Sequence, residues 1–389
     1  MGERARVLPR GGGLNGAKIA VAGAGVGGLT TAIALARVGA SPQVFERAPG
    51  PRAGGGPIWL YDNALKVLDQ WGLGDEIRAA GTLIERHSYR NWRHEEIGLF
   101  PLAEISRRRA TETPLLMIAR NALDEILRAA LGSQVGEDSI SYGSSVAGYS
   151  ETPDGIHLFL GPAMTATEDK FEILIGADGA RSVIRAQLLG NEPLHASYTA
   201  WTGVAEATHW PYPAGESVTY LGNSWLLIGG ADGARDGRRV LWVAIGPDNI
   251  MNDRRRWPKF VREIVAATPQ PVSYAVRDRD PRWTARGRVT LLGDAAHPMM
   301  PAPGQGACQA IEDAAVLARA VGGRASLIQA LRSYEEQRQR RIPRIWRFAR
   351  SVTLMMLANV PSAAFTVGLR GAAPWVLDEY LFILDPTRS

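Results

Sequence analysis

The first apolar run, Ile19 to Ala22, is short and bounded by Lys18 and a glycine cluster. Such a run predicts a buried strand. Gly23 to Gly28 follows as a tight turn. Leu29 to Val38 then places apolar and small residues at helical spacing and stops at Gly39. Gln43 to Glu46 is a second strand, so the chain opens as a βαβ unit. Farther on, the glycine cluster Gly54 to Gly56 precedes a helix carrying Leu65, Leu68 and Trp71. Residues 84–100 alternate as strands do. Arg120 to Leu131 puts Leu123, Ile126, Leu127 and Leu131 on one face of an amphipathic helix. Ile140 to Leu160 reads as a meander of short strands with Asp154-Gly155 as a hairpin turn.

Two later apolar runs end in an acid. Phe171 to Ile175 leads into Gly176-Ala177-Asp178-Gly179, and Val289 to Leu292 leads into Gly293-Asp294. Between them, Ser197 to Ile245 is rich in Trp, Tyr, Thr and Val, which predicts a β region of different character. Gly229 to Gly233 lies between predicted strands 225–228 and 239–245, so it reads as a hairpin loop and not a second nucleotide fingerprint. Gln309 to Ala320 is a small-residue helix and Ser326 to Arg340 a longer, charged one. The last forty residues read as helical, with loops at Pro361 and Pro374.

Composition narrows the function classes. A chain of 389 residues exceeds one ordinary core, and 46% hydrophobic with 21% charged residues is globular. The net charge of +5 comes from dispersed residues and three runs, Arg107 to Arg109, Arg254 to Arg256 and Arg338 to Arg350. None sits in a nucleic-acid module, so they read as solvated faces with some attraction for anionic cofactors. Cys308 is the only cysteine, which excludes an intrachain disulfide and a cysteine metal site. No metal is expected, and a reducing, cytoplasmic location is. Residues 1–17 lack the apolar centre of a signal peptide and read as a flexible leader. No run is long enough to span a membrane; the apolar stretch Val352 to Phe365 is too short and reads as helix packing.

The chemistry lies in three segments. In Gly23-Ala24-Gly25-Val26-Gly27-Gly28, Gly23 permits the turn, Gly25 lets backbone approach a pyrophosphate, and Gly28 lets helix pack on strand. The helix start then offers free N–H groups to phosphate. Glu46 ends the next strand, where a carboxylate accepts ribose hydroxyls and repels a 2′-phosphate. Asp178 ends the second strand, either as a ligand group or as an ordinary helix cap. Asp294 ends the third, suited to a sugar-alcohol hydroxyl. Gly304-Gln305-Gly306 starts a helix whose backbone can stabilise negative charge.

Taken together, GAGVGG, GADGARSVIR and GDAAHPMMPAPGQGACQAIEDA resemble the flavoprotein aromatic hydroxylases of the p-hydroxybenzoate and salicylate hydroxylase type. The resemblance runs from Lys18 to about Arg341, and the tail Leu384-Asp385-Pro386 is similar to the family's usual ending. It implies FAD as cofactor, with its pyrophosphate along Gly23, Gly25, Val26 and Gly28. Glu46 and Arg47 would take the adenosine ribose. Arg120 would reach the phosphate and ribityl region, Asp178 would serve FAD and NAD(P)H, and Asp294 would hold the ribityl chain. Pro298, Gly304, Gln305, Gly306 and Ala307 would lie against the flavin ring. One departure is Gly55-Gly56-Pro57 before Asn63-Ala64, where the family often has a Gly-x-Gly step; Pro57 would stiffen that loop.

The resemblance further implies an α/β fold. A Rossmann-like discontinuous FAD-binding domain (18–185 and 281–345) would carry an inserted, mostly β substrate domain (186–280) and a C-terminal helical segment (346–389). It implies a single-component monooxygenase. NADPH or NADH reduces FAD, and O2 gives a C4a-hydroperoxide that hydroxylates an electron-rich aromatic small molecule. Alkene epoxidation in a terpenoid or polyketide, a reductase or oxidase, and a redox sensor without turnover remain alternatives. A phenol-deprotonating base has candidates in Tyr198, His209 and Tyr220, against packing roles for each. His297 reads as structural. Cys308 at a helix start is a candidate acidified thiol, with packing favoured. Trp201 and Trp225 suit either a substrate pocket or the sheet core.

Overall fold

The βαβ opening forms where the pattern puts it: strand Lys18–Ala22, helix Val26–Arg37 and strand Ser41–Phe45. A computed structural model describes residues 16–358 except 52–53, 101, 191, 207–209, 214, 223–225, 233–238, 249–250, 252–256, 285–286 and 324–325. Among the described residues, the opening strand is the centre of a five-stranded parallel sheet. Its order is Val289–Leu291, Ile173–Gly176, Lys18–Ala22, Ser41–Phe45, Ile140–Ser141. Burial on both faces explains why these strands read as unbroken apolar runs. Ile140–Ser141 joins this sheet, while the meander proper is Val146–Thr152 and Gly155–Leu160 with Thr165–Ala166.

Glycines weld the three motifs together. A Cβ at Gly23, whose φ is +100°, would lie 2.5 Å from the Ala177 carbonyl oxygen. One at Gly27 would lie 2.9 Å from the Leu292 side chain, and one at Gly28 only 1.8 Å from the Gly23 carbonyl oxygen. The first helix and helix Gln305–Gly322 approach through Ala34, Ala314 and Ala318.

A seven-stranded sheet forms the second layer. Its order is Val272–Asp278, His195–Glu206, Arg239–Gly246, Leu226–Ala231, Glu216–Leu221, Arg86–Asn91, Glu96–Leu99. The last two strands come from early in the chain, and Arg86–Asn91 pairs in parallel with Glu216–Leu221. One face packs Val218, Tyr220, Val240, Trp242 and Ala244 on helix Lys259–Ala266. The other carries Ala200, Leu241, Ile245 and Val276 into the main core. Between the layers, strands Pro57–Tyr61, Leu115–Ala119 and Gly81–Leu83 form a small sheet. Its approach is close: a Cβ at Gly56 would sit 1.5 Å from Thr202 Oγ1. The predicted Gly229–Gly233 loop is partly strand, since Leu226–Ala231 continues to Ala231 and Asp232 pairs with Arg239.

The charged helix does not stop near Arg340. It runs unbroken from Leu327 to Leu357 across Pro343. A proline inside a helix removes one hydrogen bond; here Ile342, Ile345, Ala349, Thr353 and Met356 are buried along the same helix, and that packing outweighs the loss. No described helix is long and apolar enough to cross a membrane. Trp225 and residues 359–389, with the predicted loops and the tail motif, lie outside the described residues.

The glycine contacts predict a sharp asymmetry. Gly28→Ala forces a Cβ onto backbone and should cost about 3 kcal/mol of stability in urea unfolding. Gly25→Ala meets nothing within 4 Å and should cost less than about 1 kcal/mol. Equal losses would refute the packing argument.

Candidate active site

Three strand ends and two helix starts meet at one edge of the parallel sheet. Gly25 caps helix Val26–Arg37 in extended conformation, with no side-chain cap and no acid in the first turn. The space a Gly25 Cβ would fill is open, so a ligand can approach the free N–H groups of that turn. Glu46 stands beside them. Its Oε2 accepts from Ala24 N at 2.8 Å and its Oε1 from Ala48 N at 2.9 Å. These bonds fix the carboxylate and leave each oxygen a second lone pair. Arg47 is exposed and Val26 buried.

Asp178 acts as a helix-start anchor. Its Oδ2 accepts from Val183 N at 2.8 Å and Ile184 N at 3.3 Å, and Ser182 Oγ accepts from Arg185 N at 2.8 Å. Asp178 Oδ1 is buried with no hydrogen-bond partner among the described residues. Burial raises the carboxyl pKa, and the Ser182 side chain and then the backbone N–H groups only partly offset it.

Asp294 lies in the 3-10 turn Gly293–Ala295. It is open by surface area, yet protein surrounds it closely enough that burial raises its pKa against the pull of His297 and Arg120. Arg120 heads helix Arg120–Val135, and its backbone N–H donates to Gly56 O at 3.1 Å. Its Nε is 3.9 Å from the Asp124 carboxylate and without a hydrogen bond among the described residues. Gly304, at φ +70°, starts helix Gln305–Gly322, again without a side-chain cap or an acid in the first turn. A Cβ at Gly306 would meet nothing within 4 Å.

A buried ionic network holds this wall. Asp313 Oδ2 accepts from Gly293 N at 2.9 Å and lies 2.6 Å from His297 Nε2; Oδ1 accepts from Arg338 Nε at 2.5 Å. Glu312 accepts from Asn63 at 2.5 Å, from Arg338 at 3.1 Å and from Arg341 at 2.9 Å. Burial alone would raise both carboxyls. The neighbouring charges outweigh it and hold both below their ordinary range: His297 and Arg338 for Asp313, Arg341 and Arg338 for Glu312. On the other side, buried Arg185 donates to Ala296 O at 2.6 Å, Asp280 O at 2.9 Å and Glu192 at 2.7 Å. Trp346 Nε1 donates to Pro298 O at 3.2 Å.

Several of these residues escape a reading of local pattern. The run Arg338 to Arg350, read as a solvated face, contains Arg338, which is 1% exposed and paired with two acids, and Arg350, which pairs with buried Asp278 at 2.6 Å. The available signal was the adjacent pair Glu312-Asp313 inside a small-residue helix, which demands a buried cation. Arg185 carried no such signal.

The base candidates separate. Tyr198 pairs with Val276 and packs on the main core. Tyr220 points to the opposite face, 2.5 Å from the Tyr212 hydroxyl and against Phe260. Its position there is dictated by the two-residue alternation of its strand. Trp201 also packs on that far cluster. His209 lies outside the described residues. His297 is buried in the ionic network. Cys308 is buried, donates toward Trp59 O at 3.3 Å, and burial pushes its thiol up to about 12, so it is not acidified. His87 is buried between Ser217 Oγ (2.7 Å) and Thr219 Oγ1 (3.1 Å), and burial lowers its pKa to about 3, leaving it neutral.

The family model for the FAD binding domain matches residues 16–349. The chain is 34% identical over 357 residues to the aurachin C monooxygenase/isomerase of Stigmatella aurantiaca, covering 86% of this chain and 85% of that one. It is 33% identical over 340 residues to the 3-amino-4-hydroxybenzoate 2-monooxygenase of Streptomyces cremeus, covering 80% of each. The crystal structure of Klebsiella pneumoniae HpxO complexed with FAD and uric acid superposes with a TM-score of 0.81 at 26% identity, covering 94% of this chain and 97% of that one.

The strand that leads into the Asp294 turn also gives a pH prediction. Glu335 accepts from Thr290 Oγ1 at 2.6 Å, and burial pushes its carboxyl from 4.5 up to about 8. Between those values the folded chain keeps a proton that the unfolded chain releases, so stability falls as pH rises. Glu335→Gln keeps an acceptor for Thr290 and removes the titration. Urea unfolding should show the variant gaining on wild type from about pH 5 to about pH 9; parallel pH curves would contradict this.

Proposed function

The chain belongs to the family of FAD-dependent aromatic hydroxylases and monooxygenases, and on that premise we propose how its cleft holds FAD, reductant and substrate. The FAD pyrophosphate lies at the start of helix Val26–Arg37, along Gly23, Gly25, Val26 and Gly28. Glu46 accepts the adenosine ribose hydroxyls, with Arg47 at the rim. Arg120 reaches the phosphate and ribityl region. Asp178 borders the cofactor through its free Oδ1, and Asp294 takes the ribityl hydroxyls. Pro298 and Gly304, Gln305, Gly306 and Ala307 lie along the flavin ring.

One observation carries this reading. Two helix starts have no side-chain cap and no first-turn acid, a Cβ at Gly25 or Gly306 beside them would meet open space, and the Arg120 charge acts on the carboxyl of Asp294. The donors suit phosphate and an electron-rich ring, and the carboxyl suits sugar hydroxyls. The free Oδ1 of Asp178 and Nε of Arg120 are the unmatched polar atoms such a ligand would satisfy.

Bound there, FAD supplies hydride acceptance from NADH or NADPH and oxygen transfer from O2. The chain's own part is positional. The backbone N–H groups from Gln305 stabilise negative charge on the ring, and the ionic network keeps the Asp294 turn fixed while ligands exchange. The substrate sheet closes the other side and excludes water. We assign 18–185 and 281–345 to the flavin domain, with strands 86–99 joined to the substrate sheet of 186–280, and residues 346–389 to the C-terminal segment. The substrate is an electron-rich aromatic small molecule. Both named enzyme relatives are monooxygenases, and one acts on an aminohydroxybenzoate. Tyr198 is the described base candidate on the cleft-side face. A cytoplasmic location fits the buried free thiol of Cys308.

The test is substrate-dependent consumption of NADH or NADPH and O2 by the FAD-loaded chain, with phenols, indoles and quinolones, and mass spectrometry of the product. A product with one added oxygen is expected, and its structure separates a phenol from an epoxide. A yellow protein that no compound stimulates would favour a redox role without turnover. Asp294→Ala should fold normally and bind FAD roughly 10- to 100-fold more weakly, since it loses a charged hydrogen bond. Unchanged affinity would remove Asp294 from the site.

A further inference from the structure

Two large apolar side chains stand open on the edge strand of the substrate sheet: Val272, 45% exposed, and Tyr274, 47% exposed. Register fixes the face they share. Val272 pairs with Thr202 and Tyr274 with Ala200. Directly paired residues of an antiparallel ladder point the same way. Ala200 is buried in the main core, and Thr202 abuts Gly56 of the small sheet. Val276, next on the same face, is buried in that core as well. The open pair therefore looks toward the flavin domain and not toward solvent or helix Lys259–Ala266.

Protein surrounds Tyr274 despite its open surface. Burial raises its phenol, the Arg120 charge opposes that rise and the Asp294 charge adds to it. Both charges therefore lie near the Tyr274 ring. An aromatic ring left uncovered near a guanidinium and a carboxyl calls for a planar partner with a polar stem. FAD is such a molecule, with its ring system joined to a polyhydroxyl chain.

We infer that Tyr274 is a cofactor-contact residue that packs against the flavin ring system of FAD, with Val272 extending the same apolar shelf. The assignment rests on the FAD reading of the cleft. It favours the flavin over the aromatic substrate because the groups facing Tyr274, Arg120 and Asp294, are those given to the cofactor's stem. It makes the inserted sheet part of the cofactor site, so the two layers share one ligand.

The test uses the full chain with FAD, in the absence of substrate, and compares wild type with Tyr274→Phe and Tyr274→Ala. A phenol in contact with flavin quenches its fluorescence by electron donation. Wild type should bind FAD with dim fluorescence. Tyr274→Phe should bind with a Kd within about twofold of wild type and a brighter signal. Tyr274→Ala should be brighter still and bind about three- to tenfold more weakly, the worth of one aromatic contact. Affinity for ADP, which lacks the ring, should be unchanged in both variants. Wild-type Kd and fluorescence in Tyr274→Ala would overturn the assignment while leaving the FAD reading intact. So would a higher substrate KM with no change in the flavin signal, or an equal loss of ADP affinity. A wild-type chain that binds no FAD overturns the assignment and the FAD reading together.

Discussion

The absence of side chains at Gly23, Gly27 and Gly28 is the constraint on which the cofactor domain depends. Each glycine faces a different partner: Gly23 and Gly28 lie too close for a Cβ to the backbone of Ala177 in the second motif and of Gly23 in the first, and Gly27 packs on the Leu292 side chain beside the third. The three motifs are therefore one packed unit, not three sites. Gly25 differs from its neighbours because its missing Cβ faces open space. Packing glycines surround one glycine that leaves room, and this brings a helix start with free N–H groups to a cleft.

A second layer of causes aims the groups in that cleft. The Asp294 turn is held from below by Asp313, from the side by the Arg185 bonds to Ala295 and Ala296, and Pro298 is held by Trp346 from the last helix. Charges buried this deeply are costly unless every one is matched. Here two acids meet two arginines, a histidine and an asparagine. Such a network is rigid because loosening any member exposes an unpaired charge to a dry core. A rigid wall is what an enzyme needs when its reaction proceeds on a bound cofactor and the protein's task is placement.

Legibility in the sequence tracked distance along the chain. The βαβ unit, its glycine turn and the acid-terminated strands are local patterns, and each stands where spacing put it. The membership of Arg86–Asn91 in the substrate sheet was not local, because the strand pairs with residues 130 positions away, as in His87 with Ser217. Arg338 looked like surface because its acids lie 25 and 26 residues earlier on another helix. The charged helix, read as Ser326 to Arg340, continues through Pro343 because its buried side chains outweigh one lost bond. Tyr220 and Tyr274 carry the same chemistry in strands of the same sheet. Only register and alternation show that one faces Phe260 and the other the side of the flavin domain. The residues proposed for the cofactor thus come from local motifs, while the placement of the substrate sheet's residues depends on register.

On the proposed reading, all three glycine-rich segments hold one FAD molecule and the inserted sheet supplies the remaining wall. The measurement that tests this most directly is the electron density of the chain crystallised with FAD. The account predicts pyrophosphate density against Gly25 and the start of the first helix, ribityl density at Asp294, and ring density along Gly304 to Ala307. Flavin density elsewhere on the molecule, or none after saturation with FAD, would contradict it.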